Sequence, residues 1–181
     1  MITGEHTHIR FPELDDAFFV RQLYVAGPKR AALLDSRREP ILPTTPEIQK
    51  TLLRKGAAQG LMYSVEDTTG ALCGWCGLRG INYEAQYAEL VLLFVDAAAY
   101  DTAADEVLTF LLGQAFTRFR LYKVLVLSLD TEHALMHCLE RHGFAFAGAQ
   151  RRALFTGGDW RDLRTYTLKA TDYQATRTST T

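Results

Sequence analysis

The chain has 181 residues, of which 48% are hydrophobic and 23% charged, and its formal net charge is -1. That length suits one domain with its own core, and the near-neutral balance gives no basic footprint for DNA or RNA. With no run of 18 apolar residues, no basic, apolar leader in Met1–His6 and only three cysteines, the expectations are no membrane span, no signal peptide, no disulfide framework and a cytoplasmic location.

The elements follow in chain order. Residues 7–12 are β-like and end at Pro12. Leu14 to Val25 reads as a helix with an apolar stripe through Leu14, Phe18 and Leu23. Residues 26–44 are punctuated by Gly27, Pro28, Pro40 and Pro43, which predicts a loop or a broken helix. Thr45-Pro46-Glu47 reads as a helix start, with a capping hydroxyl, a proline and an acid, and Gly60 as the stop after Gln59. Strands are predicted over 61–66 and 71–82 around the turn Asp67-Thr-Thr-Gly70, and over 87–95 after a turn at 84–86. In the last of these, Leu90 to Val95 is continuously apolar, which predicts burial on both faces. A long helix is expected over 102–119, a buried strand over 123–129, and a helix over 132–142 stopped by Gly143. A closing hairpin is expected over 144–155 and 161–169. This order places a mixed sheet between helices in one α/β (mixed α+β) domain, residues 1–170, followed by a polar, frayed tail over 171–181.

Several segments carry a family likeness. Glu140-Arg141-His142-Gly143-Phe144 ends a helix and leads into the closing strands with Asp162 and Tyr166. Ser64-Val-Glu-Asp-Thr-Thr-Gly70 precedes Leu72-Cys-Gly-Trp-Cys-Gly-Leu78. Tyr87-Ala-Glu89-Leu90 starts the apolar strand, and Asp105-Glu106-Val107 with Ala115-Phe116 marks the long helix. In this order the chain resembles the GNAT-type N-acetyltransferases over about residues 7–169, closest to the subgroup that acetylates ribosomal-protein N-termini. The resemblance implies a GNAT fold with a mixed, mostly antiparallel sheet of six or seven strands. It also implies acetyl transfer from acetyl-CoA to a primary amine, either a small molecule or a protein N-terminus. Non-catalytic binding by a repurposed module is the alternative, and a different thioester donor a third reading. Edge strands near the C-terminus make a homodimer conceivable.

What the resemblance implies for sites is specific. Phe94 and Val95 would meet the donor's pantetheine arm, and Thr102, Ala103, Ala104 and Asp105 would offer a helix start to its diphosphate, where free amides and the dipole favour an anion. The family's basic residue and two glycines correspond here to Ala99, Thr102 and Ala104, in a loop made acidic by Asp96, Asp101, Asp105 and Glu106. A local alternative has Thr102 and Asp105 forming a capping box. The family's asparagine falls at Glu132 or His133. Its serine or tyrosine acid falls at Leu135 and Leu139, which carry no transferable proton, and Cys138 lies beside them.

Glu89 is the base candidate, because an ammonium must lose a proton before it can attack; the alternative is an ion pair with Arg79. Tyr83 and Glu84 in the adjoining turn are weaker candidates. Cys73-Gly-Trp-Cys76 has redox spacing but lies within a strand, without a helix N-terminus to lower a thiol pKa. His133 and His137 stand one turn apart without a further clustered ligand, so no metal is expected. Arg151 and Arg152 read as strand-surface charges. Lys29, Arg30, Arg37 and Arg38 read as a solvated loop or the wall of an acceptor entrance.

Overall fold

The computed structural model describes residues 2–25, 43–52 and 60–178. A single eight-stranded sheet organises them, in the order β1-β2-β3-β4-β5-β6-β8-β7. Its strands are β1 (Ile2–Thr3), β2 (Thr7–Arg10), β3 (Leu61–Asp67), β4 (Leu72–Asn82), β5 (Tyr87–Phe94), β6 (Lys123–Leu129), β7 (Ala145–Thr156) and β8 (Asp159–Lys169). Every neighbouring pair is antiparallel except β5 and β6. The expected six or seven strands become eight because Ile2–Thr3 adds an edge strand through pairs Ile2–Ile9 and Thr3–His8.

Two helices, α1 (Asp16–Val25) and α2 (Thr45–Leu52), cover one face. The other carries α3 (Ala103–Leu112), which continues as π-helix to Arg118, and α4 (His133–Arg141). The alternation of β5 serves both faces. Ala88, Leu90, Leu92 and Phe94 enter the large cluster with Val107, Leu108, Leu111 and Leu139, while Val91 and Leu93 join Trp75, Ala17, Val20 and Ile48. Leu90 to Phe94 are each at most 1% exposed, as the apolar run predicts, but Val95 at its end is 55% exposed.

Local chemistry explains the boundaries. At α2 the cap is Thr44 rather than Thr45: Glu47 Oε2 accepts from the Thr44 amide at 2.7 Å and its hydroxyl at 2.8 Å. The stretch expected to continue that helix to Gln59 lies outside the described residues from 53 onward, as do Lys29, Arg30, Arg37 and Arg38. At the end of α4, the Gly143 amide donates to Glu140 O and the Phe144 amide to Leu139 O, at 3.1 and 3.0 Å. This is a Schellman closure, and Gly143 at φ 80 supplies the left-handed residue it requires. Residues 171–178, within the tail expected to fray, belong to α5 (Ala170–Thr178) instead. Tyr173 rests on Phe116 with ring centroids 5.2 Å apart, an aromatic contact that gives a polar segment something to hold.

Candidate active site

The sheet opens at one place. β5 and β6 pair only through Tyr87–Lys123, Ala88–Val124 and Glu89–Leu125, yet β5 runs on to Phe94 and β6 to Leu129. Beyond Glu89 the parallel strands part, while β5 stays paired with β4 as far as Gly74–Phe94. The opening therefore lies along the β6-facing edge of β5. A β-strand edge presents N–H and C=O groups at alternate residues. The Val95 amide turns toward β4, donating to Cys73 O at 2.9 Å. Alternation then turns the Phe94 amide toward the opening.

Glu89 stands at the vertex of this opening, on the last shared rung. It is paired with Arg79 across β4–β5, Nη2 to Oε1 at 2.6 Å, with both side chains about one-fifth exposed. Strand alternation places it on the same sheet face as Val91 and Leu93, which is the face of α1 and α2. Tyr83 and Glu84 are exposed in the adjoining turn.

The corner between β5 and α3 holds most of the other expected site residues. Asp96 caps a 3-10 turn, Ala97–Asp101, by accepting from the Ala98 amide at 3.1 Å. Thr102 follows and contributes no side-chain cap bond to α3. The expected capping box between Thr102 and Asp105 is therefore absent. Instead, Asp105 Oδ1 accepts from Arg141 Nη2 at 3.3 Å and lies 3.2 Å from His142 Nε2. Arg141 also donates to Asp101 Oδ1 at 2.8 Å and to Tyr100 O at 2.9 Å. The acidic corner is thus countered by the end of α4, through ion pairs between residues distant in sequence. Ala103 and Ala104 are buried, Asp105 and Val95 are exposed, and Phe94 is inaccessible.

Asp105, Cys138 and His142 each bring one donor atom within 4.8 Å of the others. A guanidinium shares the Asp105 oxygen, the His142 Nδ1 lies 2.8 Å from Cys138 O, and burial pushes the Cys138 thiol up to about 11. The cluster is therefore a salt-bridge network rather than a metal cradle. Leu135 and Leu139 are buried core residues, so neither supplies an acid. Cys73 and Cys76 are free thiols. Arg151 and Arg152 are exposed on β7.

Tyr100 is a residue that the sequence reading did not single out. Its ring is 4% exposed and packs edge-on against Phe94, centroids 5.2 Å apart. Its hydroxyl donates to Leu92 O at 3.2 Å and accepts the Phe94 amide at 3.3 Å. Burial first, then the charges of Glu132 and Cys138, raise this hydroxyl above the usual tyrosine range, against the pull of the Phe94 amide. Glu132 itself is buried at the start of α4, where Oε2 accepts the Leu129 amide at 2.6 Å. A tyrosine following alanines in an otherwise small-residue turn was the only available sequence signal.

A split parallel pair at the carboxyl end of one strand, followed by a helix start, defines a class of protein: the chain matches the acetyltransferase (GNAT) domain over residues 9–164 and belongs to that family. It is an N-acetyltransferase by family, with acetyl-CoA as the donor. Solved structures with the same fold include variant forms of the spermidine/spermine N-acetyltransferase SpeG from Vibrio cholerae, at 20% identity, TM-score 0.78, covering 96% of this chain and 99% of that one. The Vibrio cholerae spermidine N-acetyltransferase in complex with CoA and spermine matches at 20% identity and TM-score 0.76, covering 94% and 99%. A dodecameric structure of the same enzyme in an intermediate state matches at 21% and 0.73, covering 94% and 97%. No curated protein matches the sequence. The resemblance holds for the family, while the narrower likeness to enzymes of ribosomal-protein N-termini gains no support from these structures.

The residues present suit a CoA thioester. The edge of β5 that parts from β6 suits an extended arm carrying amides, and Thr102 puts no side-chain cap on the start of α3. Two groups of the chain itself, the Tyr100 hydroxyl and the Arg141 guanidinium, already stand there. No described helix is long and apolar enough to cross a membrane.

Proposed function

We propose that the chain transfers the acetyl group to a primary amine of a small cationic metabolite of the polyamine class, with Glu89 as the group that receives the ammonium proton. The observation that carries this is the position of Glu89: a fixed carboxylate at the vertex of the sheet opening, on the face bordered by α1 and α2. An ammonium is attracted to a carboxylate in such a half-buried setting, and a general base must lie within direct or one-water reach of the proton it takes. The Arg79 guanidinium fixes the carboxylate's orientation by a charge-assisted bond. When bound, acetyl-CoA supplies the acetyl group as a thioester. Phe94, Val95, Thr102, Ala103, Ala104 and Asp105 are the proposed donor contacts, with the Phe94 amide and the α3 start contributing backbone donors. The polyamine acceptor is supported by the named activity of the structural neighbours, and a protein N-terminus is the competing acceptor.

Self-association belongs to the same reading. β7 is exposed along most of its length, and Phe146, Phe155 and Trp160 present aromatic surface on its hairpin with β8. A dodecameric neighbour supports an assembly, and sedimentation velocity measures it directly.

Glu89→Gln tests the chemistry. Turnover with spermidine should fall about 100-fold or more, with CoA affinity by calorimetry unchanged. Unaltered turnover removes Glu89 from the mechanism. A panel of diamines, spermidine and a short peptide with a free N-terminus tests the acceptor: faster turnover of the peptide rejects the polyamine reading.

A further inference from the structure

The Tyr100 hydroxyl does what an incoming extended chain would have to do. Beyond Glu89, the opening edge of β5 presents backbone groups to the space left by β6. Two of them, Leu92 O and the Phe94 amide, are two residues apart on one edge, the spacing with which a paired strand or an amide-bearing arm would bond. Tyr100 bonds both with a single hydroxyl, at 3.2 and 3.3 Å. Its ring seals the site against Phe94, with an interplanar angle of 90°. The residue is held by its own backbone as well: Arg141 of α4 donates to Tyr100 O and to Asp101, so the turn carrying the tyrosine is tied across the mouth of the opening.

The tie is exposed and the plug is buried. The Asp101 carboxylate is 66% exposed and the Arg141 side chain 35%, so this latch is a solvated ion pair of small net strength. A buried tyrosine on a short turn with a weak outer tie can leave without disturbing the sheet, since β5 remains paired to β4 on its other edge.

We propose that Tyr100 is a built-in occupant of the donor cleft, and that the turn Ala97–Asp101, latched by Arg141, is a gate that opens when a CoA thioester takes over the Leu92 and Phe94 backbone groups. Affinity for the donor is then set by competition with the chain's own side chain, and Tyr100 is its principal determinant. The inference rests on acetyl-CoA being the donor.

The test uses the full chain and CoA as the probe. Tyr100→Phe keeps the ring against Phe94 but deletes the hydroxyl, so both backbone groups lose the Tyr100 bond in the free protein and CoA no longer has to displace it. Calorimetry should show CoA binding about tenfold tighter, equivalent to about 1.4 kcal/mol. In the wild-type protein, the nuclear Overhauser contact between the Tyr100 and Phe94 rings should vanish at saturating CoA, a readout independent of the variant's folding. Equal or weaker affinity of folded Tyr100→Phe, or persistence of that ring contact at saturation, overturns the gate and leaves the donor assignment intact. Failure of both proteins to bind CoA at millimolar concentration overturns the donor assignment and the gate together.

Discussion

Replacing Arg10 by Met should destabilise the protein by about 3 kcal/mol, because it strips a buried carboxylate of its main partner. Arg10 holds Asp16 through two bonds, Nη1 to Oδ2 at 2.8 Å and Nη2 to Oδ1 at 2.9 Å, and holds Glu66 through Nε at 2.6 Å. Asp16 is 3% exposed and also accepts from the Ser64 hydroxyl at 2.7 Å and the Glu13 amide at 2.8 Å. Those two bonds survive the substitution, and water can reach the vacated site because the Arg10 side chain is 16% exposed. Both facts place the effect at the low end of the range of about 3–5 kcal/mol for breaking a buried pair. For a domain of this size the melting temperature should fall by roughly 6–12 °C. The sign of the pH dependence follows from Asp16. Burial alone raises its pKa, but the bonds from Arg10, Ser64 and Glu13 and the Arg10 charge together hold it below the ordinary value. Its contribution is therefore present above about pH 3.9 and is lost as the pH falls through its lower folded value. Urea midpoints at constant m should differ between wild type and Arg10→Met from pH 8 to about pH 5, and begin to converge as the pH falls below about 4. A difference under about 0.5 kcal/mol at neutral pH, or one that does not shrink in acid, refutes the reasoning.

Two glycines should respond in opposite directions. A Cβ at Gly77 in β4 would press into the Leu61 carbonyl oxygen and stand 2.8 Å from Met62 Cα, so Gly77→Ala should destabilise by about 1–3 kcal/mol in thermal melts. At Gly113 a Cβ meets nothing within 4 Å and the backbone is helical at φ -61, so Gly113→Ala should stabilise by about 0.5–1 kcal/mol. Finding the same sign for both would contradict the packing described. The thiols of Cys73 and Cys138 are pushed up to about 11, chiefly by burial, and that of fully buried Cys76 higher still. A thiol reagent at pH 8 should therefore react about 100-fold more slowly with the native protein than with free cysteine, and with all three thiols after unfolding. A rapidly labelled native thiol would show an environment unlike the one described.

Much of the architecture was legible because it rests on short-range signals. The apolar run at Leu90–Val95 announced a strand buried on both faces, which holds as far as Phe94, and Gly143 before Phe144 announced a helix stop whose two closing bonds span only a few residues. The site was less legible because its decisive contacts join distant segments. Thr102 and Asp105 have the right spacing for a capping box, but Asp105 finds Arg141 and His142, which only the packing of α4 against the corner brings near. The parting of β5 from β6 depends on register, which no local pattern records. Tyr100 reads as one more core aromatic until its hydroxyl is seen on the edge of β5. Tail polarity suggested fraying, but one aromatic, Tyr173 on Phe116, was enough to anchor α5.

The brevity of the β5–β6 contact has a consequence for how the molecule is assembled. β1 to β5 form a meander in which each strand pairs with the one before it, whereas β6 pairs with β8 and β8 with β7. Thr7 pairs with Asp67 across a longer stretch of chain than separates Tyr87 from Lys123, so the three-rung seam is set apart by its few rungs and not by the loop it closes. That seam has fewer rungs than any other join except the edge pair of β1 with β2, and should be the line along which the two sets of strands part under denaturant or mechanical load. On the proposed reading this three-rung join lies where the donor would bind, and a tighter seam would gain cohesion only by narrowing that space.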